Sequence, residues 1–518
     1  MGLKEISSKT YWQLLVLYTA FIIAIALGFL NQYTLYFNIF ALLVAIFGIS
    51  IISKEETNEK SEHSFKNSKK LHIFLFLLAI ILIIFFRIIP YIHNSIPLGY
   101  DAGLYKYGIE HGLENKDKWI LNGGMEPGFL YMMKSLSLFF STDVLLKYVF
   151  IFFIVLLGFA IYMFSKEYFN DRVALFSILI YSLSVVQFKV FTYLYYKNII
   201  ALSLIFFSFY FLKREKYIFF ILSGILLGSV HRPSFYIFGI SYFLFALFSP
   251  WKNKKYKIND LKRNVLIGAI ILIGALLFYL GAFRSAILSI ISPVVSSFAS
   301  PGESPGTFIT FNVYQFATLF YLPFAILSFF YIIKNKKFNI FFFYTLILII
   351  IIYFQFFFFN RFIIFLDTAL IVLAGKGFDI ILKEKKKLSI ILIVLLLLSA
   401  SVLEFKEAKQ AQPIIPQSLF QSIQNIKETN IPPSSYIISI SSEFSPFLQG
   451  WTNNRIIAPG LFDYDIWHSE TRWSQFWQDL NASDLKTQYK EDIYLFTNKD
   501  LNSPCYQKTS QNLYKWVC

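Results

Sequence analysis

The chain has 518 residues, 56% hydrophobic and 20% aromatic, with only 15% charged, where a soluble protein carries about a quarter charged; a single water-soluble globule and a disordered chain are both excluded. Two cysteines are too few for a disulfide framework or a zinc cluster. The net charge of +16 does not call for nucleic acid, because the residues from Leu403 onward hold ten Lys/Arg and twelve Asp/Glu, leaving +18 for the rest, concentrated in short loops between apolar runs.

A helix that crosses the hydrocarbon core needs roughly 20 mostly apolar residues. In chain order the candidate spans are Tyr11–Leu30, Tyr33–Ile52, Leu71–Tyr91, Leu145–Phe164, Val173–Val190, Ile199–Leu212, Tyr217–Val230, Phe235–Phe248, Val265–Ala282, Tyr314–Ile333, Phe338–Phe358, Phe362–Leu382 and Leu388–Leu403, about thirteen in all. The first is too long, and too closely followed by the second, for a cleaved signal peptide. With a cytoplasmic N-terminus, alternation puts every dense basic cluster outside the tail on one side: Lys54–Lys70, Lys166–Arg172, Lys213–Lys216, Lys252–Arg263, Lys334–Lys337 and Lys383–Lys387. The opposite loops carry scattered cations only: Lys106, Lys189, Lys197, Arg232, Arg284 and Arg361.

Three features then fall on the extracytoplasmic side. They are a long loop from Ile92 to about Val144, a Ser/Pro/Gly-rich loop from Arg284 to Asn312, and the tail from Glu404 to Cys518. The tail alternates strand-like runs (YIISIS, NRIIA, DIYLF, LYKWV) with polar helical stretches and reads as a small α/β domain. Both cysteines lie in it; a Cys505–Cys518 bridge and two free thiols are both open. The expected organisation is an N-terminal hairpin with its cytoplasmic loop (1–70), a transmembrane module (71–403) and the extracytoplasmic domain (404–518). The fold class is thus mostly α, a polytopic membrane helical bundle with a small C-terminal α/β domain.

Few charges lie deep within the spans, and ionisable groups gather at the extracytoplasmic boundary, where they mark function or snorkel. Asp101, in IPLGYDAGLYKYG, has Tyr100 and Tyr105 beside it and a helical stretch after it. It suits an N-cap as well as a general base or metal ligand. Lys197–Asn198 follows three tyrosines in TYLYYKN and reads as an interfacial belt or as an ammonium for a phosphate. His231–Arg232 joins two spans, with Pro233 suited to the first turn of the second; His231 is a catalytic candidate and Arg232 a substrate-binding one. Arg361, in FFFFNRFIIFLD, can grip a phosphate with two hydrogen bonds or reach to headgroups. Glu303, in SPGESPG, reads as a solvated loop carboxylate, and Arg284 as a further binding cation. A P-loop, G-x-G-x-x-G and H-E-x-x-H are all missing from the sequence, which argues against a nucleotide-driven machine.

In order and spacing, GYDAGLYKYG, the Glu126–Pro127–Gly128 helix start, FSKEYFNDRVALFSILIYSLS, TYLYYKN and NRFIIFLDTALIVLAGKG resemble the GT-C superfamily of integral-membrane glycosyltransferases. The likeness runs from about Leu71 to Leu403, and the tail phrase SPFLQGWTNNRIIAPGLFD is similar to extracytoplasmic domains of some members. The resemblance implies a polyprenyl-phosphate-linked sugar as donor, with membrane lipids around it and a glycan, lipid or protein as acceptor, and no nucleic acid. It implies that Asp101, next to Tyr105, is the first-loop acid, acting as base or binding a divalent cation (Mg²⁺ or Mn²⁺), and that Arg361 helps hold the lipid phosphate. Many relatives place an aspartate where this chain has Lys197 and Asn198, so Lys197 is expected to bring the charge a metal would otherwise supply. An inverting transfer to an acceptor hydroxyl is the expected reaction. An oligosaccharyltransferase-like or glycan-polymerising enzyme is the nearer alternative, the oligosaccharyltransferase form implying Glu303 as a catalytic residue, although GWTNNR lacks the WWD pattern. A lipid-glycan flippase is the further one.

Overall fold

In a computed structural model, residues 3–30, 34–52, 69–114, 120–252, 255–285, 309–336, 338–356, 359–429, 431–441, 443–457, 475–476 and 478–518 are described. Each expected span falls on a helix or a bent helix pair. After the N-terminal pair α1 (Leu3–Leu27) and α2 (Thr34–Ile52) comes α3 (Lys69–Ile88). It leads into a loop that carries two short helices, α4 (Ala102–His111) and α5 (Pro127–Leu136). By length and composition five described helices can cross a membrane, and seven if each bent pair is one span. Several helices of the bundle turn apolar residues outward: Phe74 and Ile81 on α3, Phe243 in Arg232–Phe248 and Leu266 in Ile258–Leu277 are all exposed. Lipid covers such a surface without cost.

Two expected spans are broken. Asp171–Ser182 and Val185–Thr192 meet at 51°, and Phe311–Thr318 and Leu322–Lys334 at 84°. Ser184 caps the first break by accepting from the Gln187 amide, and Pro323 opens the helix after the second. Both breaks converge on Asp367, buried in the Phe359–Glu384 helix. Its carboxyl accepts from Ser184 Oγ at 3.1 Å, from Gln187 Nε2 at 2.7 Å, and from the Tyr321 hydroxyl. Nearby, Arg87 on α3 pairs with Glu404 of the Lys386–Gln410 helix at 3.3 Å, both 0% exposed. These groups persist inside the spans because each has found a partner on another helix.

At the opposite end of the bundle from Asp101, the FNDR turn is held by its own chemistry. Asn170 accepts from the amides of Arg172 and Val173, capping Asp171–Ser182. It also donates to Asp379, which pairs with Lys376 at 3.0 Å.

The tail forms a mixed five-stranded sheet in the order β4-β3-β5-β7-β6, from β3 (Tyr436–Ser439), β4 (Arg455–Ile457), β5 (Ile493–Phe496), β6 (Tyr506–Ser510) and β7 (Leu513–Trp516). A separate hairpin pairs β1 (Trp251–Lys252) with β2 (Lys255–Tyr256). Strand β3 runs parallel to β4 and β5, while β7 is antiparallel to β5 and β6. The four apolar runs named from sequence became strands. The fifth, YQKTS, is too polar to announce itself; it is held at the edge by β7, and Cys505 at its start is disulfide-bonded to Cys518, Cα to Cα 4.9 Å. Beneath the sheet, the helix Ser445–Trp451 lies against α4.

Candidate active site

The site forms where the α4–α5 loop meets two helix junctions at the same end of the bundle. Asp101 occupies the N-cap position of α4, yet its side chain makes no capping hydrogen bond. The N-cap reading therefore does not account for the carboxyl. Gly99, two residues before, takes a positive φ of +86°, and a Cβ there would come within 2.5 Å of Leu194. That close approach, which only glycine permits, seats the Asp101 loop on the Tyr193–Tyr196 turn leading to Lys197. On the other side, a Cβ on Gly103 would lie 1.6 Å from the Pro446 carbonyl oxygen. The tail's Ser445–Trp451 helix thus presses on the helix that Asp101 begins, and Lys106 Nζ stands 5.4 Å from the Trp451 ring centre.

Glu126 is the hub of the cluster. It precedes Pro127, which starts α5, and its own backbone is extended with no capping side-chain bond. Its carboxylate is spent on other elements instead. Oε2 accepts from Lys197 Nζ at 2.8 Å, and Oε1 accepts from the Arg232 backbone N–H at 3.4 Å and faces Arg232 Nε at 3.8 Å. Since Arg232 opens the helix Arg232–Phe248, Glu126 also satisfies a free amide at that helix's positive end. Glu126 is only 3% exposed. Burial alone would raise its carboxyl; Lys197, then His231 and Arg232, outweigh burial and hold it at about 2.

Asp101 is partly buried, and burial pushes its carboxyl above the usual aspartate value, opposed by Lys197 and Arg361. Arg361, half-buried in the first turn of Phe359–Glu384, is close enough for its charge to reach Asp101, Tyr105 and His231. Tyr105 is buried, its ring 5.3 Å from Phe129, and burial together with Asp101 and Glu126 keeps the phenol protonated. His231 is buried between the two helices it joins, its Nδ1 2.6 Å from Ser234 Oγ. Burial drives its pKa down to about 3, with Lys197, Arg361 and Arg232 pushing the same way against Glu126. At neutral pH the ring is uncharged.

Six of the residues singled out from sequence thus meet: Asp101, Tyr105, Lys197, His231, Arg232 and Arg361. Arg284 does not join them; it is exposed at the end of the turn Gly281–Phe283, and none of Asp101, Glu126 and His231 feels its charge. Glu303 lies outside the described residues. Of the tyrosines before Lys197, Tyr196 is buried against Phe150 and Phe153, and the Lys197 ammonium turns to Glu126. Glu126 itself was legible only as part of a helix start (Glu-Pro-Gly). Its role as the partner of two cations depends on residues 71 and 106 positions away.

Among the described residues the donor set for a divalent cation is poor: no three His, Cys, Asp or Glu side chains converge, and the charges around Asp101 are those of Lys197 and Arg361. Two ammonium- or guanidinium-bearing side chains repel a metal rather than ligate it.

Beside Arg232 opens an apolar cavity of about 420 Å³. Its walls include Pro233, Tyr236, Leu272, Tyr279, Ile351 and Phe362, with Arg232 as the charged residue at its edge. A cation in the lining of an apolar cavity suits a ligand that is greasy at one end and anionic at the other.

No family model matches the chain, and no curated protein matches it in sequence. Solved structures do match in fold. The archaeal oligosaccharyltransferase AglB from Archaeoglobus fulgidus, in complex with an inhibitory peptide and a dolichol-phosphate, superposes with a TM-score of 0.63 at 12% identity, covering 84% of this chain and 70% of that one. The apo form of the Archaeoglobus fulgidus enzyme gives 0.62 at 11% identity over the same shares. Its complex with zinc and sulfate gives 0.54 at 13% identity, covering 82% and 68%. The chain shares the fold of these oligosaccharyltransferase structures.

Proposed function

We propose that this protein is a membrane glycosyltransferase that moves a sugar from a polyprenyl-phosphate donor to an acceptor hydroxyl on the extracytoplasmic face, with inversion. The observation that carries the reading is a carboxylate, Asp101, in a cluster with Lys197, Arg232 and Arg361, of which Arg232 also lines an apolar cavity. The fold likeness supports it at the coarser level of a lipid-linked donor, since a neighbour in that fold binds dolichol-phosphate. The orientation rests on the basic loops, which belong on the cytoplasmic side.

The isoprenoid lies in the cavity and its phosphate faces Arg232 and Arg361. Asp101 takes the proton of the acceptor hydroxyl; the oxygen bonds to the anomeric carbon from the face opposite the phosphate. The bond from that carbon to the phosphate oxygen breaks, and its electron pair leaves with the phosphate, where fixed cations stabilise it. Raised by burial, the Asp101 carboxyl is a better base than a surface aspartate. Tyr105, held protonated, is a hydrogen-bond donor to the sugar. His231, uncharged, orients Ser234 and the junction that carries Arg232. In this reading Lys197 supplies the positive charge, and no divalent cation takes part.

The test is transfer of a radiolabelled sugar from polyprenyl phosphate by the purified protein in liposomes. Asp101→Asn is expected to lower turnover about 10²–10⁴-fold, the usual share of a general base, with the protein still inserted. Unchanged turnover removes Asp101 from the reaction, and lipid translocation without transfer replaces the enzyme by a flippase.

A further inference from the structure

The cluster contains more negative charge than phosphate binding asks for. Lys197 and Arg232 would hold a phosphate more tightly without Glu126 between them, yet Glu126 is buried against both. Burying a carboxylate is expensive, and one retained beside a ligand site calls for a reason. Counting charges supplies one. Lys197, Arg232 and Arg361 bring three positive charges; Asp101 and Glu126 bring two negative ones; His231 is neutral. The described cluster keeps one net positive charge.

A sugar joined to an isoprenoid through one phosphate is a diester with a single negative charge. The same sugar joined through a diphosphate carries two. In a water-poor site an unmatched charge is costly, because solvent screens it little. We infer that Glu126 is a specificity-determining residue that sets the charge of the donor. By pairing with Lys197 and Arg232, it tunes the site to a monophosphate-linked isoprenoid sugar and against the diphosphate-linked form. This rests on the lipid-linked donor proposed above and deepens it. Glu126 is well placed to set that charge, since its two oxygens touch different cations on different helices, and one side chain adjusts both without occupying the cavity beside Arg232.

The experiment uses the full-length protein in lipid nanodiscs and two short probes, citronellyl methyl phosphate with one charge and its methyl diphosphate analogue with two, measured by calorimetry. Wild-type protein is expected to bind the monophosphate more tightly. Glu126→Gln adds one net positive charge and should shift the ratio of the two affinities at least about tenfold toward the diphosphate. Lys197→Gln removes one and should shift it the other way; the Glu126→Gln/Lys197→Gln double variant, neutral relative to wild type, should return close to the starting ratio. If Glu126→Gln does not fold, Lys197→Gln and Arg232→Gln must still each move the ratio toward the monophosphate. A ratio that stays constant across variants that bind both probes, or a wild type that prefers the diphosphate, overturns the inference while the donor reading stands. A wild type that binds neither probe removes the donor reading, and this inference with it.

Discussion

Replacing Glu126 should cost stability in a way that depends on pH with a defined sign. In the folded protein its carboxyl sits at about 2 against an ordinary 4.5. The difference of about 2.5 units, at roughly 1.4 kcal/mol each, is ~3.5 kcal/mol; the share that a charged His231 supplies is absent at neutral pH, where the ring is uncharged, so Lys197 and Arg232 leave at most ~3 kcal/mol of stabilisation there. Because the folded value is the lower one, this stability is present above pH 4.5 and is lost as the pH falls toward 2. Glu126→Gln removes it and leaves Lys197 facing Arg232. The variant should therefore be less stable than wild type by at most ~3 kcal/mol at pH 7, with the gap closing at acid pH. Because Glu126 is 3% exposed, solvent screening does not erode the figure. The assay is thermal unfolding in detergent micelles between about pH 7 and 3, for wild type, Glu126→Gln, Lys197→Gln and the double variant. The double variant should lose less than the two singles summed. Parallel melting curves for wild type and Glu126→Gln at every pH would refute the ion-pair account.

Transfer should rise with pH through a value above the ordinary aspartate range, because Asp101 must be ionised to act and burial raises its carboxyl; kcat/KM against pH checks this, and a flat profile across that range contradicts it. Activity should survive EDTA and fall on Lys197→Ala; loss in EDTA with recovery on adding Mn²⁺ would show that a metal does what is assigned to Lys197. In the bundle, Arg87→Met or Glu404→Leu alone should each cost about 3–5 kcal/mol by stranding a buried charge, while the double variant recovers most of the loss. Single variants as stable as the double would show that the pair carries no such energy.

Much of the fold was legible because lipid imposes a simple rule. Every backbone polar group in the hydrocarbon must be satisfied within the segment, so long apolar runs become helices. The breaks were not legible: Val173–Val190 and Tyr314–Ile333 read as continuous spans, yet Asp367 and the groups around it stabilise a bend in each. Nothing in the sequence pairs Arg87 with Glu404, since neither reveals a partner 317 positions away. In the site, Asp101, Lys197, His231, Arg232 and Arg361 could be suspected singly, each as an ionisable group at the edge of a span.

Composition, the spacing of apolar runs and the sign of the loop charges were thus sufficient for a membrane bundle with a small α/β tail, because hydrophobic length and local charge are properties of contiguous residues. That Lys197 pairs with Glu126, and that three cations gather with two carboxylates, was decided by the packing of helices distant in the chain. A carboxylate's partner is set by Coulomb energy over a few ångströms, and only the folded chain brings such residues within that reach.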